Sequence, residues 1–93
     1  MFYVYVIKSL KSDWVYTGYT NNLKRRFGEH NAGKNISTKH KAPFDLIYYE
    51  AYRSMSDAKY RESQLKRFAQ SHKALKQRIK NSLEEGGPLA PHP

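Results

Sequence analysis

Two runs of β-branched and aromatic residues near the N-terminus constrain the fold of this chain most strongly. The first run is FYVYVIKS, the second is WVYTGY, and the turn-forming residues LKSD separate them. This pattern predicts a β-hairpin over residues 2–19. Whatever follows in the chain must therefore build on this pair of strands.

The next segments predict one helix, one loop and one further strand. Two asparagines suited to capping precede apolar residues spaced four apart, and Gly33 is a plausible stop, which predicts a helix over residues 21–32. Residues 34–43 lack any periodicity and are expected to form a loop. The run FDLIYYEAY then predicts a third strand.

The C-terminal part predicts two more helices. Ser54 and Asp57 form a capping-box pattern at the start of a helix that extends to about Ala69. Ser71 is positioned to cap the next helix. Its apolar residues recur every four positions, and two glycines are expected to end it: Leu75, Ile79, Leu83, Gly86 and Gly87.

The predicted element order ββαβαα indicates an α+β fold with a small three-stranded mixed or antiparallel sheet flanked by helices. Residues 1–85 are expected to form a single domain, since 93 residues leave no room for a second. The proline-rich end, residues 86–93, is predicted to be a disordered tail.

The charge balance points to a polyanionic partner. The chain has 17 Lys and Arg against 8 Asp and Glu, a formal net charge of +9. Nucleic acid is the first expectation for so basic a small domain. The absence of cysteine excludes disulfides, thiolate metal sites and cysteine nucleophiles. No signal peptide or membrane span is expected, which favours a cytoplasmic protein.

Two polar residues of the first predicted helix border its apolar stripe. At about 100° per residue, Arg26 and His30 lie beside Leu23 and Phe27, not on the opposite face. An arginine can lay its stem along a helix edge, and a histidine can be a satisfied boundary residue. Both explanations stay open, yet the two side chains point inward together in a highly basic chain.

Glu62 shares the apolar stripe of the second predicted helix with Ala58 and Leu65. Burying an unpaired carboxylate costs several kcal/mol, so Glu62 requires a cation, a metal ion or hydrogen-bond donors. An internal ion pair with Arg26 or Arg61 is the simpler explanation. A functional site is the alternative.

The tyrosines of the predicted hairpin complete a family resemblance. The sequence YVY at residues 3–5 resembles the GIY element of the GIY-YIG nuclease superfamily, and YTG at residues 16–18 resembles its YIG element. The tyrosines Tyr5 and Tyr16 stand eleven positions apart, as the family has them. Gly18 corresponds to the glycine that ends the motif. A glycine there lets the backbone bend sharply or lets a ligand approach.

The resemblance extends to three residues on the predicted helices. The helical arginine of the motif corresponds to Arg26, the histidine one turn later to His30, and the distal acid to Glu62. It implies hydrolysis of a phosphodiester bond in DNA with one divalent ion, Mg²⁺ or Mn²⁺, bound by Glu62. Arg26 would then hold a phosphate oxygen.

The base that activates water is left open. The resemblance assigns it to Tyr16, with Tyr5 and His30 positioning the water or relaying the proton. A histidine ordinarily titrates near pH 6.5, so the residues alone favour His30.

The surrounding cations are expected to contact the nucleic-acid backbone. Lys24 and Arg25 stand where the N-terminus of a helix already attracts phosphates, and Lys39 and Lys41 add charge from the predicted loop. The first hypothesis is a monomeric DNA endonuclease linked to repair or recombination, which acts on branched, nicked or flapped DNA because one domain has little capacity for sequence readout. The alternatives are a binding module of the same fold with little or no turnover, and an RNA-associated role.

Overall fold

A three-stranded antiparallel sheet is the centre of the structure. The computed structural model describes residues 1–85. The strands are β1 (Phe2–Ser9), β2 (Val15–Thr20) and β3 (Phe44–Tyr52), and their spatial order is β2-β1-β3. The helices are α1 (Leu23–Asn31), α2 (Met55–Arg67), α3 (Ala69–Arg78) and α4 (Lys80–Glu84). The predicted α+β class and element order are confirmed, and the sheet is antiparallel throughout.

Side-chain alternation along β1 divides the core into two parts. Val4 and Val6 pack with residues of α2 and α3 on one face of the sheet. Tyr5 and Ile7 pack on the other face, together with Leu23 of α1. Because successive strand residues point to opposite faces, one strand serves both layers. This parity directs Tyr5 towards α1.

The first helix begins and ends close to the predicted positions. The Asn22 side chain accepts a hydrogen bond from the Arg25 backbone N–H at 3.1 Å, so it provides the N-cap. Just beyond the C-terminus, Gly33 adopts a φ of 71°, a left-handed conformation that favours glycine. The loop predicted over residues 34–43 contains a 3₁₀ turn, Lys39–Lys41.

One predicted serine cap lies at the right position and the other is wrong. Ser54 is the N-cap residue of α2, as predicted, but its side chain forms no capping hydrogen bond. Ser71 lies inside the first turn of α3, which begins at Ala69. The extended backbone of Phe68, with φ −114° and ψ 113°, ends α2 and starts α3. This junction depends on backbone conformation, not on a side-chain cap.

The last predicted helix is interrupted. Ile79 leaves the helical conformation, with φ −106° and ψ 26°, and divides the segment into α3 and the short α4. The predicted glycine stop and the predicted tail, residues 86–93, lie outside the described residues. Across residues 1–85, no helix combines the length and apolarity that a bilayer crossing requires.

Candidate active site

Gly18 makes room for the Tyr5 ring. The two residues face each other across β1 and β2. A Cβ built on Gly18 would lie 2.9 Å from Tyr5 Cε1 and closer still to the Tyr5 hydroxyl oxygen. Gly18 lies in mid-strand and its φ is not positive, so the expected bend is wrong and the approaching group is a side chain. The packing of Tyr5 therefore requires glycine here.

A buried hydrogen-bond chain starts at Tyr5. Its hydroxyl shares a hydrogen bond of 2.8 Å with His30 Nε2, and His30 Nδ1 shares another of 2.8 Å with Thr38 Oγ1. His30 and Thr38 are fully buried, and Tyr5 is 1% exposed. Both ring nitrogens of His30 are thus engaged inside the protein, and His30 reaches solvent only through its partners.

Burial governs the protonation of this chain. Burial, and then the charge of Arg26, lower the pKa of His30 to about 4, so the imidazole is neutral at pH 7. Burial also raises the pKa of Tyr5 to about 12, although a hydrogen bond with Arg26 acts to lower it. A neutral imidazole between two hydroxyls donates through one nitrogen and accepts through the other. The chain can therefore pass a proton without a net charge forming.

Tyr16 is the accessible tyrosine of the site. Its ring is half-buried at the edge strand β2, with its centroid 5.3 Å from that of His30 and 6.5 Å from that of Tyr5. Trp14 stacks against it at 6.2 Å, and Lys66 Nζ lies 5.1 Å from its ring centroid. Solvent can thus reach this phenol, unlike the enclosed Tyr5 and His30.

Arg26 lies beside the same group of rings. Its Nη1 donates to Glu29 Oε1 at 3.1 Å, and Arg25 Nη1 donates to the other carboxylate oxygen at 3.0 Å. Burial acts to lower the pKa of Arg26, but hydrogen bonding to Glu29 and Tyr5 outweighs it and keeps the guanidinium charged. A pocket of about 340 Å³ opens in front of Arg25, Arg26 and Glu29.

Glu62 pairs with neither predicted arginine. Its Oε2 lies 3.1 Å from Lys66 Nζ, one helical turn along α2, whereas Arg61 pairs with Glu50. The expected ion pair with Arg26 or Arg61 is therefore wrong. Residues four positions apart on one helix are neighbours on its surface, so this ion pair does not require either side chain to be buried. The Glu62 side chain is 23% exposed, so it is accessible at the rim of the core.

Arg26, Tyr16 and Glu62 all act on the pKa of Tyr5. The pKa of Tyr5 reflects, after burial, interactions with Arg26, with Tyr16 and with the Glu62 carboxylate. Side chains from β1, β2, α1 and α2 therefore face one region at the β2 edge of the sheet.

Glu62 is the carboxylate that the family resemblance assigns to the metal ion. No group of three or more His, Cys, Asp or Glu residues within residues 1–85 forms a metal cluster. Magnesium keeps several of its waters and is commonly held by one or two carboxylates together with substrate phosphates. Glu62 at the rim fits that manner of binding, with Lys66 as the cation it now contacts.

The basic residues predicted to contact nucleic acid differ in their surroundings. Lys24, Arg25 and Lys39 are exposed, whereas Lys41 is half-buried. Arg25 shares the Glu29 carboxylate with Arg26, so part of the positive charge at the start of α1 is balanced within the helix. Glu29 thereby moderates the unfavourable interaction of these cations with the helix dipole.

Three residues of the site were missed from sequence. Thr38, the buried partner of His30, lies in the aperiodic loop, where no pattern marked it. Lys66 and Glu29 stand three or four positions from the charged residues that they contact, a spacing that was visible.

Comparisons with known proteins show the family of this chain. A family model described as the GIY-YIG catalytic domain matches residues 1–76. The UPF0213 protein SH2523 of Staphylococcus haemolyticus is 43% identical over 72 residues, which cover 76% of this chain and 87% of the relative. The UPF0213 protein NP_0776A of Natronomonas pharaonis is 39% identical over 72 residues, or 76% of this chain and 84% of the relative. No solved structure gives a significant match.

Proposed function

Since this chain belongs to the GIY-YIG family, we propose that it is a metal-dependent DNA endonuclease that hydrolyses phosphodiester bonds. The position of Tyr16 carries the proposal. Its half-buried ring lies between the enclosed pair of Tyr5 and His30 and the accessible pair of Lys66 and Glu62. A water molecule beside Tyr16 would thus meet a phenol backed by a proton relay and flanked by a carboxylate.

We assign the general base to Tyr16 because solvent reaches its phenol, whereas Tyr5 and His30 are enclosed. His30 acts through Tyr5, to which its Nε2 is hydrogen-bonded at 2.8 Å. Lys66 Nζ lies 5.1 Å from the Tyr16 ring centroid, so a cation stands beside the proposed base.

Arg26 is proposed to bind the scissile phosphate. Its guanidinium donates through Nη1 to Glu29, is hydrogen-bonded to Tyr5 and lines an open pocket. A planar guanidinium can donate two parallel hydrogen bonds to phosphate oxygens. These bonds would strengthen as negative charge develops in the transition state.

Glu62 is proposed to hold one Mg²⁺ or Mn²⁺ ion. When bound, the ion would neutralise negative charge on the phosphate and on the leaving oxygen. Glu62 would hold the ion through the carboxylate that now contacts the Lys66 ammonium, and Lys66 would then be available to the substrate phosphate.

The finer aspects of the function follow from the same proposal. Lys24, Arg25, Lys39 and Lys41 would contact the DNA backbone without reading bases. So small a domain has little surface for sequence readout, so we propose selectivity for DNA structure and a role in repair or recombination. We also propose that the protein is cytoplasmic and monomeric.

A cleavage panel tests the function. The protein is incubated with linear, nicked, flapped and branched DNA, and with RNA of equal length, in Mg²⁺ or in EDTA. We expect cleavage of at least one DNA only in Mg²⁺. Binding to DNA in EDTA without cleavage of any substrate in Mg²⁺ or Mn²⁺ would instead identify a binding module, and cleavage of RNA alone would overturn the DNA assignment.

A further inference from the structure

A second basic pocket lies between α2 and α3, away from the candidate active site. It has a volume of about 420 Å³ and is lined by Arg61, Ser71, Ala74, Leu75 and Arg78. Arg61 pairs with Glu50 of β3, whereas the next residue, Glu62, pairs with Lys66, whose Nζ lies 5.1 Å from the Tyr16 ring centroid on β2. Because β2 and β3 are the two outer strands, the two sites lie at opposite edges of the sheet.

A buried carboxylate fixes Arg61 in place. The Glu50 side chain is 14% exposed, and both of its oxygens accept from Arg61 Nε, at 3.0 and 3.1 Å. It also accepts hydrogen bonds from the hydroxyls of Tyr48 and Tyr52. Burial would raise the pKa of Glu50, but these hydrogen bonds, that of Arg61 first, hold it below its usual value. The carboxylate therefore stays ionised and anchors the arginine.

The anchored arginine keeps donors for a ligand. Arg61 uses only Nε towards Glu50, and within residues 1–85 its two Nη groups have no hydrogen-bond partner. Arginine carries five N–H donors in a rigid planar arrangement, so four remain. Their direction is set by the bonds to Glu50 before any ligand arrives.

Arg78 adds a charge that nothing in the pocket balances. The charge of Glu50 is matched by Arg61, while Arg78 forms no ion pair with any residue of the described chain. Arg78 is nevertheless close enough to the Glu50 network to act against the raised pKa of Tyr48. Ser71 contributes a hydroxyl, and the lining contains no acidic residue.

We propose that this pocket binds a phosphate group, which Arg61 and Arg78 hold with help from the Ser71 hydroxyl. Two guanidinium groups and a hydroxyl match the oxygens of a tetrahedral dianion. The inference goes beyond the cleavage site and does not rest on it. Anchoring of β3 to α2 explains the Nε contacts of Arg61, but it does not explain a second, unpaired arginine beside them.

Inorganic phosphate is the first probe. Its binding is monitored by NMR of the ¹⁵N-labelled protein, and a titration with sodium chloride at equal ionic strength is the control. We expect saturable shifts of the Ser71 and Leu75 amides that weaken roughly tenfold in Arg78→Gln, since each lost charge-assisted pair is worth about that factor. Arg53→Gln, just before the N-terminus of α2, removes an equal charge and should leave the titration unchanged. Arg61 is not substituted, because its loss would leave the Glu50 carboxylate without its ion-pair partner.

The absence of saturable shifts at these amides, or equal weakening in Arg78→Gln and Arg53→Gln, would overturn the inference. A second arm identifies the source of the phosphate through oligonucleotide binding in EDTA over a range of salt concentrations. If the phosphate belongs to the nucleic-acid backbone, Arg78→Gln lowers by about one the slope of log binding constant against log salt concentration. If Arg78→Gln alters only the phosphate titration, the pocket takes a free phosphate or a phosphomonoester.

Discussion

At the residue scale, the contact between Gly18 and Tyr5 links strand pairing to the candidate site. The glycine of the family motif is needed because the Tyr5 ring covers it, and the same ring carries the hydroxyl bonded to His30. The sequence indicated that Gly18 is special but not why. The residue opposite Gly18 depends on strand register, which the sequence does not specify. Its role in the site is thus indirect.

A pair of glycine substitutions tests this packing. Gly18→Ala places a methyl group against Tyr5, and we expect a loss of about 1–3 kcal/mol in the free energy of unfolding. Gly28→Ala in α1 meets nothing within 4 Å and should gain about 0.5–1 kcal/mol from helix propensity. Urea denaturation measures both. Equal effects of the two substitutions would show that the Tyr5 contact does not constrain position 18.

The identity of the base is a second question at this scale. Tyr16→Phe removes the hydroxyl but keeps the ring that packs against Trp14 and His30. We expect the single-turnover cleavage rate to fall at least about a hundredfold, the usual scale of general-base catalysis, with the unfolding free energy nearly unchanged. Near-normal cleavage would transfer the role to the relay of Tyr5 and His30.

At the element scale, His30 joins α1 to β1 and to the loop before β3. Its two hydrogen bonds reach Tyr5 and Thr38, so three segments depend on one neutral imidazole. Helix spacing predicted that His30 points inward. It could not identify Thr38, because loop conformation sets that contact and no periodicity describes it.

This arrangement makes stability depend on pH. The pKa of His30 is lowered to about 4, while an unfolded histidine titrates near 6.5, so only the unfolded state gains a proton between these values. Stability is therefore full above pH 6.5 and is lost as the pH falls towards 4. We expect about 2 kcal/mol less at pH 5 than at pH 7.

Urea titrations of His30→Gln and His72→Gln at both pH values check this expectation. His30→Gln should remove most of the difference. The pKa of His72 is also lowered, by burial and by Lys76, but this side chain is only half-buried and should contribute less. If the pH effect persists in His30→Gln and disappears in His72→Gln, the assignment to His30 is wrong.

The Lys66 and Glu62 pair on α2 gives a further expectation at this scale. Lys66→Met removes the ammonium that now occupies Glu62, so Mn²⁺ should bind the free protein about three- to fivefold more tightly, the range of an exposed ion pair. Electron paramagnetic resonance of unbound Mn²⁺ measures the affinity. Lys80→Met on α4 removes the same charge elsewhere. Equal changes in both variants would rule out a specific competition.

At the scale of the whole molecule, the sequence predicted the sheet, the helix order and the inward-facing polar residues, because all three follow from local periodicity. It failed where the answer depends on neighbours in space. Ser54 and Ser71 form no capping hydrogen bonds, Ile79 divides the last predicted helix, and Glu62 contacts Lys66 instead of an arginine. The second basic pocket likewise required the packing of α2 against α3.

The central claim is that residues from four elements act on one phosphodiester with an ion at Glu62. The most direct measurement compares wild type with Glu62→Ala, both as Mg²⁺-dependent cleavage rate and as DNA binding in EDTA. We expect the rate to fall at least about a hundredfold while binding changes no more than about twofold, since the carboxylate acts on the reaction and not on docking. Cleavage by Glu62→Ala at the wild-type rate would contradict the account.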